Sequence, residues 1–218
     1  MIIKACIFDL DGVIVDTAKY HFIAWRNIAR DLGFEFTEAH NERLKGVSRM
    51  RSLEILLEVG GIILDDKVKQ VLAKRKNDEY LEYITKMTPD EILPGASEFL
   101  HELRNNNILT ALGSASKNSM IILNRLNISS LFDAIIDGNK VSKAKPDPEV
   151  FLKGAEELKV SPANCIVFED AEAGVEAAIS AGMKCIGIGD PKILRHANAV
   201  IPGFTNMNFN KLNQIFNN

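Results

Sequence analysis

Apolar residues in this chain gather into short runs, and longer stretches of helical spacing separate them. Ile2 to Phe8, Ile108 to Gly113, Cys165 to Glu169 and Lys184 to Gly189 read as buried strands. Ala134 to Asp137 is a weaker run of the same kind, and Ala199 to Ile201 predicts a last edge strand. Ala96 to Asn106, Asn118 to Leu126, Pro148 to Leu158 and Gly174 to Ala181 carry helical periodicity between them. Strands that alternate with helices predict an α/β fold built on a doubly wound parallel sheet. Such sheets bind ligands beyond the carboxyl ends of their strands, near the switch in strand order. The polar residues at those ends are Asp9 and Asp11, Ser114, and Glu169 with Asp170.

One stretch breaks the alternation. Residues 17–87 hold no convincing strand. Tyr20, Ala24, Ile28 and Leu32 recur every four residues, and Gly33 is a stop signal. Ser48 is placed to cap a helix running through Leu57, which Gly60-Gly61 would end, and a long helix is expected from about Asp65 to Met87. Thr88-Pro89 and Leu93-Pro94-Gly95 mark the return to the sheet. The expected organisation is a core of residues 1–16 and 88–218, interrupted by a helical-bundle cap of residues 17–87.

Composition narrows the partners. A net charge of -3 over 218 residues gives no support for nucleic acid or an anionic membrane surface. No apolar run approaches the roughly 18 residues of a membrane span. Cys6, Cys165 and Cys185 all fall in predicted strands, which reads as small buried hydrophobes in a reducing, cytoplasmic setting.

The chemistry starts with Asp9 and Asp11. Side chains at i and i+2 of an extended chain share a side. Two carboxylates about 4 Å apart repel by roughly 4 kcal/mol at an effective dielectric of about 20, which calls for a cation, a proton or a reacting group between them. One carboxylate can attack phosphorus and carry the phosphoryl group, while the other handles protons. Glu169 and Asp170 add two more acids at a neighbouring strand end, and an all-oxygen set suits Mg²⁺. Lys145 lies in a proline-stiffened loop where an ammonium can neutralise a phosphoryl group, and Ser114 is placed to donate to it. Each also has a plainer reading: a strand-end turn for Asp9-x-Asp11, a helix cap for Asp170, a solvated lysine for Lys145 and a capping serine for Ser114. In the insert, Lys76 falls between Leu72 and Tyr80 on the apolar side of its helix, where a snorkelling stem is the plain alternative. Ser116-Lys117-Asn118 opens a helix, as a cap or as an anion site.

Taken together, these residues resemble the haloacid dehalogenase-like phosphotransferase superfamily. Asp9-x-Asp11-Gly12-Val13, Ser114, Lys145-Pro146 and Glu169-Asp170 occur in its order, and the helical insert falls where its mobile cap belongs. More specific stretches resemble the β-phosphoglucomutase family: Asp16-Thr17, Tyr20-His21-Phe22, Ala24-Trp25, Leu44 to Arg49, Lys74 to Asp78 and Ser114 to Asn118. Gly113 is a small departure from the pattern, which has alanine there.

The resemblance implies Asp9 as nucleophile and Asp11 as general acid/base. It implies one Mg²⁺ on Asp9, the Asp11 carbonyl, Asp170 and, directly or nearby, Glu169. Ser114 and Lys145 would hold the transferring phosphate, and Arg49 with Ser116, Lys117 and Asn118 the other one. His21 and Lys76 would couple cap closure to Asp11, with Thr17 at the hinge and Lys45-Gly46 contacting the sugar. The implied reaction interconverts β-D-glucose 1-phosphate and glucose 6-phosphate through an aspartyl-phosphate enzyme, with β-glucose 1,6-bisphosphate as priming intermediate. The implied state is a monomer. A sugar-phosphate phosphatase on the same scaffold is the alternative enzyme, and a phosphosugar-binding regulator the non-enzymatic one.

Overall fold

In the computed structural model, which describes residues 2–217, six parallel strands form one sheet in the order β3-β2-β1-β4-β5-β6. They are β1 (Ala5–Phe8), β2 (Leu109–Gly113), β3 (Ala134–Ile136), β4 (Cys165–Glu169), β5 (Lys184–Ile188) and β6 (Ala199–Ile201). All residues of β1 and β4 are buried, because helices cover both faces of the sheet. Alternate side chains supply the two layers. Cys6, Phe8, Ile166 and Phe168 pack with Phe99 and Phe204 on one side. Ala5, Ile7, Cys165 and Val167 pack with Phe151 and Val175 on the other. Phe8 and Phe168 stack across adjacent strands with ring centroids 4.7 Å apart. The three cysteines are free and buried, as their strand positions predict.

Four helices occupy the insert: α1 (Ala18–Asp31), α2 (Glu38–Glu42), α3 (Arg49–Gly60) and α4 (Asp66–Ile84). They enclose an apolar core of their own, with Trp25, Ile28, Leu53, Leu56 and Ala73 buried together. Ser48 caps α3 by accepting from the Arg51 amide at 3.3 Å, and Gly61 ends it in the left-handed region at φ 62°. The remaining helices are α5 (Ala96–Asn105), α6 (Ser119–Arg125), α7 (Glu149–Glu157), α8 (Glu172–Ser180) and α9 (Phe209–Asn217).

Three details differ from the sequence expectation. The helix expected to reach Met87 ends at Ile84, where the Thr85 hydroxyl donates back to the Leu81 carbonyl at 2.7 Å. Helices α2 and α9 were not anticipated. And β1 stops at Phe8: residues 10–15 fold into a tight turn in which Gly12, at φ 77°, donates to the Val15 carbonyl at 2.8 Å. Asp9 therefore precedes the turn and Asp11 lies within it, yet both line one cavity.

Candidate active site

The carboxyl ends of β1, β2 and β4 meet beneath the cap around a cavity of about 580 Å³. Asp9, Asp11, Ser114 and Asp170 line it from the sheet side. His21, Lys45, Gly46, Arg49 and Lys76 line it from the cap, and Ser116, Lys117 and Asn118 from the start of α6. Thr17, Lys145 and Glu169 stand behind this wall, buried. A larger open cleft of about 980 Å³ lies beyond Gly12 and Asp170, but neither Asp9 nor Ser114 reaches it.

Lys145 bridges two acids at the centre. Its ammonium lies 2.5 Å from Asp9 Oδ1 and 2.5 Å from Glu169 Oε1, and all three side chains are at most 8 % exposed. Burial alone would lower the Lys145 pKa, but the charges of Asp9 and Glu169 raise it well above the ordinary lysine value. The other Glu169 oxygen accepts from the Ala171 amide at 3.0 Å. That contact replaces the capping role open to Asp170, since Ala171 is the N-cap of α8 and has no side-chain cap. Gly174 is bare for the same reason: a Cβ there would fall on the Glu169 carboxylate. Gly113 has a local cause too, because a Cβ would stand 2.9 Å from the Phe151 ring.

Glu149 holds the Lys145 loop. Glu149 Oε2 accepts from the Ser142 amide at 2.9 Å, the Ser142 hydroxyl at 2.9 Å and the Lys143 amide at 2.7 Å. Ser114 in turn is fixed at the end of β2, where its amide donates to the Ile136 carbonyl at 2.9 Å.

Asp11 occupies a different environment. It accepts a hydrogen bond from the Thr17 hydroxyl, and Thr17 is the residue that starts α1. Burial, then the neighbouring Asp9 charge, raise the Asp11 pKa to about 8. The group therefore keeps its proton at neutral pH, as a general acid must. The Tyr80 hydroxyl is buried nearby without a hydrogen-bond partner, and its pKa is pushed well up by burial and by Asp11.

In the cap, Lys76 is 1 % exposed and its Nζ lies 2.5 Å from His21 Nδ1. The same ammonium sits over the Tyr80 ring at 4.4 Å and the Trp25 ring at 5.1 Å. Burial, then repulsion from Arg49, bring the Lys76 pKa down to about 7. Burial and the Lys76 charge push His21 well below its ordinary value, so a neutral ring accepts from Lys76. Cap and core also touch elsewhere beside the cavity. Asn118 Nδ2 donates to Asn77 Oδ1 at 2.9 Å, and a Cβ on Gly46 would stand 3.1 Å from the Ala171 methyl. Sequence reasoning gave no role to Asn77, Asn41 or Ser52; all three line the cavity, and only a fold brings them there.

The fit to a metal is a matter of donors. Among the described residues no three acids, histidines or cysteines already cluster as an ion cage. Glu169 is engaged by Lys145 and the Ala171 amide. Asp170 lacks a close counter-charge: burial, then the charges of Glu169 and Asp9, raise its pKa well above the carboxylate range, and Lys45 approaches it only to 3.8 Å. Carboxylate oxygens short of positive charge fit a hard divalent cation such as Mg²⁺.

A parallel sheet with a carboxylate just after β1, a lysine-bridged acid pair and a helical insert is the arrangement of a hydrolase-type α/β enzyme. The model of the haloacid dehalogenase-like hydrolase family matches residues 3–182, and the chain belongs to that family. It is 48 % identical over 200 residues to the beta-phosphoglucomutase of Bacillus subtilis, covering 91 % of this chain and 88 % of that one. The crystal structure of beta-phosphoglucomutase from Clostridium difficile superposes with a TM-score of 0.94 at 43 % identity, covering 99 % of this chain and 98 % of that one. A phosphorylated carbohydrates phosphatase of Thermotoga maritima is 34 % identical, covering 90 % of this chain and 92 % of the relative. No helix among the described residues is long and apolar enough to cross a membrane.

Proposed function

We propose that this chain is a β-phosphoglucomutase, interconverting β-D-glucose 1-phosphate and glucose 6-phosphate through β-glucose 1,6-bisphosphate. The observation that carries the reading is one cavity with two anion anchors. Ser114 beside Asp9 supplies one, and Arg49 with Ser116, Lys117 and Asn118 on the same cavity supplies the other. A phosphatase needs only the first; a sugar carrying phosphate at both ends uses both.

In this reading Lys145 holds Asp9 Oδ1 and leaves the other oxygen to attack phosphorus, forming an aspartyl phosphate. Asp11 gives its proton to the leaving sugar oxygen and takes it back from the acceptor hydroxyl. Ser114 and Lys145 offset the charge on the transferring group. Asp9, Asp170 and the Asp11 carbonyl would hold Mg²⁺, with Glu169 beside them; when bound it draws charge from the phosphoryl oxygens. Residues 17–87 act as the cap, with Thr17 at its hinge. Lys45 and Gly46 approach the sugar, and the closed cap excludes water so that a hydroxyl becomes the acceptor. A cytoplasmic monomer acting on free hexose phosphate completes the reading.

The Thermotoga relative keeps a sugar-phosphate phosphatase as the second reading. Incubation with Mg²⁺, β-glucose 1-phosphate and a trace of the bisphosphate, followed by phosphorus NMR, separates them. Glucose 6-phosphate is expected; free phosphate released in its place would overturn the mutase. Arg49→Ala is expected to slow isomerisation more than hydrolysis of a small phosphoester, and equal losses would remove Arg49 from the distal clamp.

A further inference from the structure

Among the described residues, two buried side-chain polar atoms have no hydrogen-bond partner, Asn41 Oδ1 and Tyr80 Oη. Both residues line the same 580 Å³ cavity. Tyr80 belongs to the neighbourhood of Thr17 and Asp11, whereas Asn41 is carried by α2 of the cap. It is 8 % exposed, and Trp25, Leu44 and Ala73, buried in the core of the cap, line the same cavity. An amide left unpaired in such surroundings is rare in a folded chain, because nothing replaces its lost hydration.

The backbone that carries Asn41 is held at both ends. Its amide donates to the Thr37 carbonyl at 3.1 Å, and its carbonyl accepts from the Leu44 amide at 2.9 Å. The side chain's direction therefore follows from α2, and only rotation of the terminal carboxamide is free. That torsion is broad and roughly two-fold, so either its oxygen or its nitrogen can turn to the cavity. A hydroxyl both donates and accepts, and it satisfies either end.

We propose that Asn41 is a specificity-determining residue whose carboxamide hydrogen-bonds one ring hydroxyl of the hexose phosphate. The inference rests on the reading of the cavity as a hexose-phosphate site and adds to it which part of the sugar the cap inspects. A neutral carboxamide carries no charge to meet a phosphate, so this contact distinguishes sugars and not their charge. A buried amide without a partner favours a substrate that presents a hydroxyl there and penalises one that leaves it unpaired.

The test is a binding cycle. Wild type and Asn41→Leu are titrated calorimetrically with glucose 6-phosphate and with its 2-, 3- and 4-deoxy analogues. Wild type is expected to bind one of the analogues about ten- to a hundred-fold more weakly than the parent sugar. Asn41→Leu is expected to bind the parent at that weaker level and to ignore the deletion. Leucine keeps the volume and removes the orphan, so the variant's Tm is expected to hold or rise. Equal discrimination by both proteins would overturn the proposal, as would a marked fall in Tm, which would mean that a buried water already satisfies the amide. A wild type that shows the hydroxyl dependence but makes no glucose 6-phosphate would refute the mutase and leave the role of Asn41 standing. Should Asn41→Leu not fold, Asn41→Ser shortens the contact at the same position, and an unaltered preference among the four sugars would refute the role.

Discussion

Replacing Lys76 by methionine removes an ammonium that the fold holds at a cost. The lysine pKa falls from 10.5 to about 7 in the cap, through burial and through Arg49, while Asp11 and Glu79 pull in the opposite direction. Between those values the unfolded chain binds a proton that the folded chain does not, so wild-type stability rises with pH there. At about 1.36 kcal/mol per pH unit, burying the Lys76 amine, charged at pH 6 and neutral at pH 9, costs about 5 kcal/mol at pH 6 and about 2 kcal/mol at pH 9. Lys76→Met retains the apolar stem and should gain on wild type by an amount that shrinks by about 3 kcal/mol from pH 6 to pH 9. Lost contacts to His21 and to the rings of Trp25 and Tyr80 reduce the gain; the diagnostic is therefore its pH slope. Trp25 is the chain's single tryptophan and lies against Lys76, so its fluorescence during urea unfolding reports the cap directly. A difference between the two proteins that stays flat from pH 6 to pH 9 would refute the argument. So would a wild type that is the more stable at pH 6.

Lys145→Met leaves Asp9 and Glu169 buried without their shared cation, and removing one partner of a buried ion pair typically costs about 3–5 kcal/mol. The Glu169 pKa is already raised by burial and would rise further, so the fold would hold a proton that the unfolded chain gives up. The deficit should therefore shrink as pH falls towards the ordinary glutamate range, measured by urea unfolding at several pH values. Gly174→Ala drives a methyl into the Glu169 carboxylate, and overpacking of this kind costs about 1–3 kcal/mol. Its Tm should fall while that of Gly182→Ala, with nothing within 4 Å of its Cβ position but φ at 72°, reflects backbone strain alone.

The sheet was legible because its inner strands are covered on both sides. A strand such as Cys165–Glu169 must then be apolar throughout, and no partner has to be known to see it. The two missed helices fail for different reasons. Helix α2 spans five residues, too few for a period to show, and its one signal is Thr37 capped reciprocally by His40, where the usual third residue is Glu or Gln. Helix α9 did carry a pattern, Phe209, Leu212 and Phe216, and Leu212 is fully buried. The acids, lysines and anion-site residues could be named from motif order and from their stretches. What each one touches could not. Asp11 on Thr17, Lys76 on His21 and Asn118 on Asn77 join segments 6, 55 and 41 residues apart. Local spacing contains nothing that would predict the last two.

The choice between water and a sugar hydroxyl as acceptor cannot reside in the Asp9–Lys145–Glu169 chain. Asp9 faces the cavity while Lys145 and Glu169 stand behind it, and in the proposed reading all three would meet either acceptor identically. It cannot reside in the acidity of Asp11 alone either, since one proton carrier serves both reactions. Asp11, however, is held by Thr17, and Thr17 begins the first cap helix. In the proposed reading, a movement of the cap about that point would change the partner of the proton carrier as it seals the cavity. Arg49, His21 and Lys76 come from α3, α1 and α4 of the insert, so part of what would meet a sugar phosphate travels with the lid. A water molecule makes none of those contacts and supplies no binding energy for closure. A bisphosphorylated hexose supplies it at both ends, and that difference in binding, expressed through Thr17, is what this arrangement can convert into selection of the acceptor.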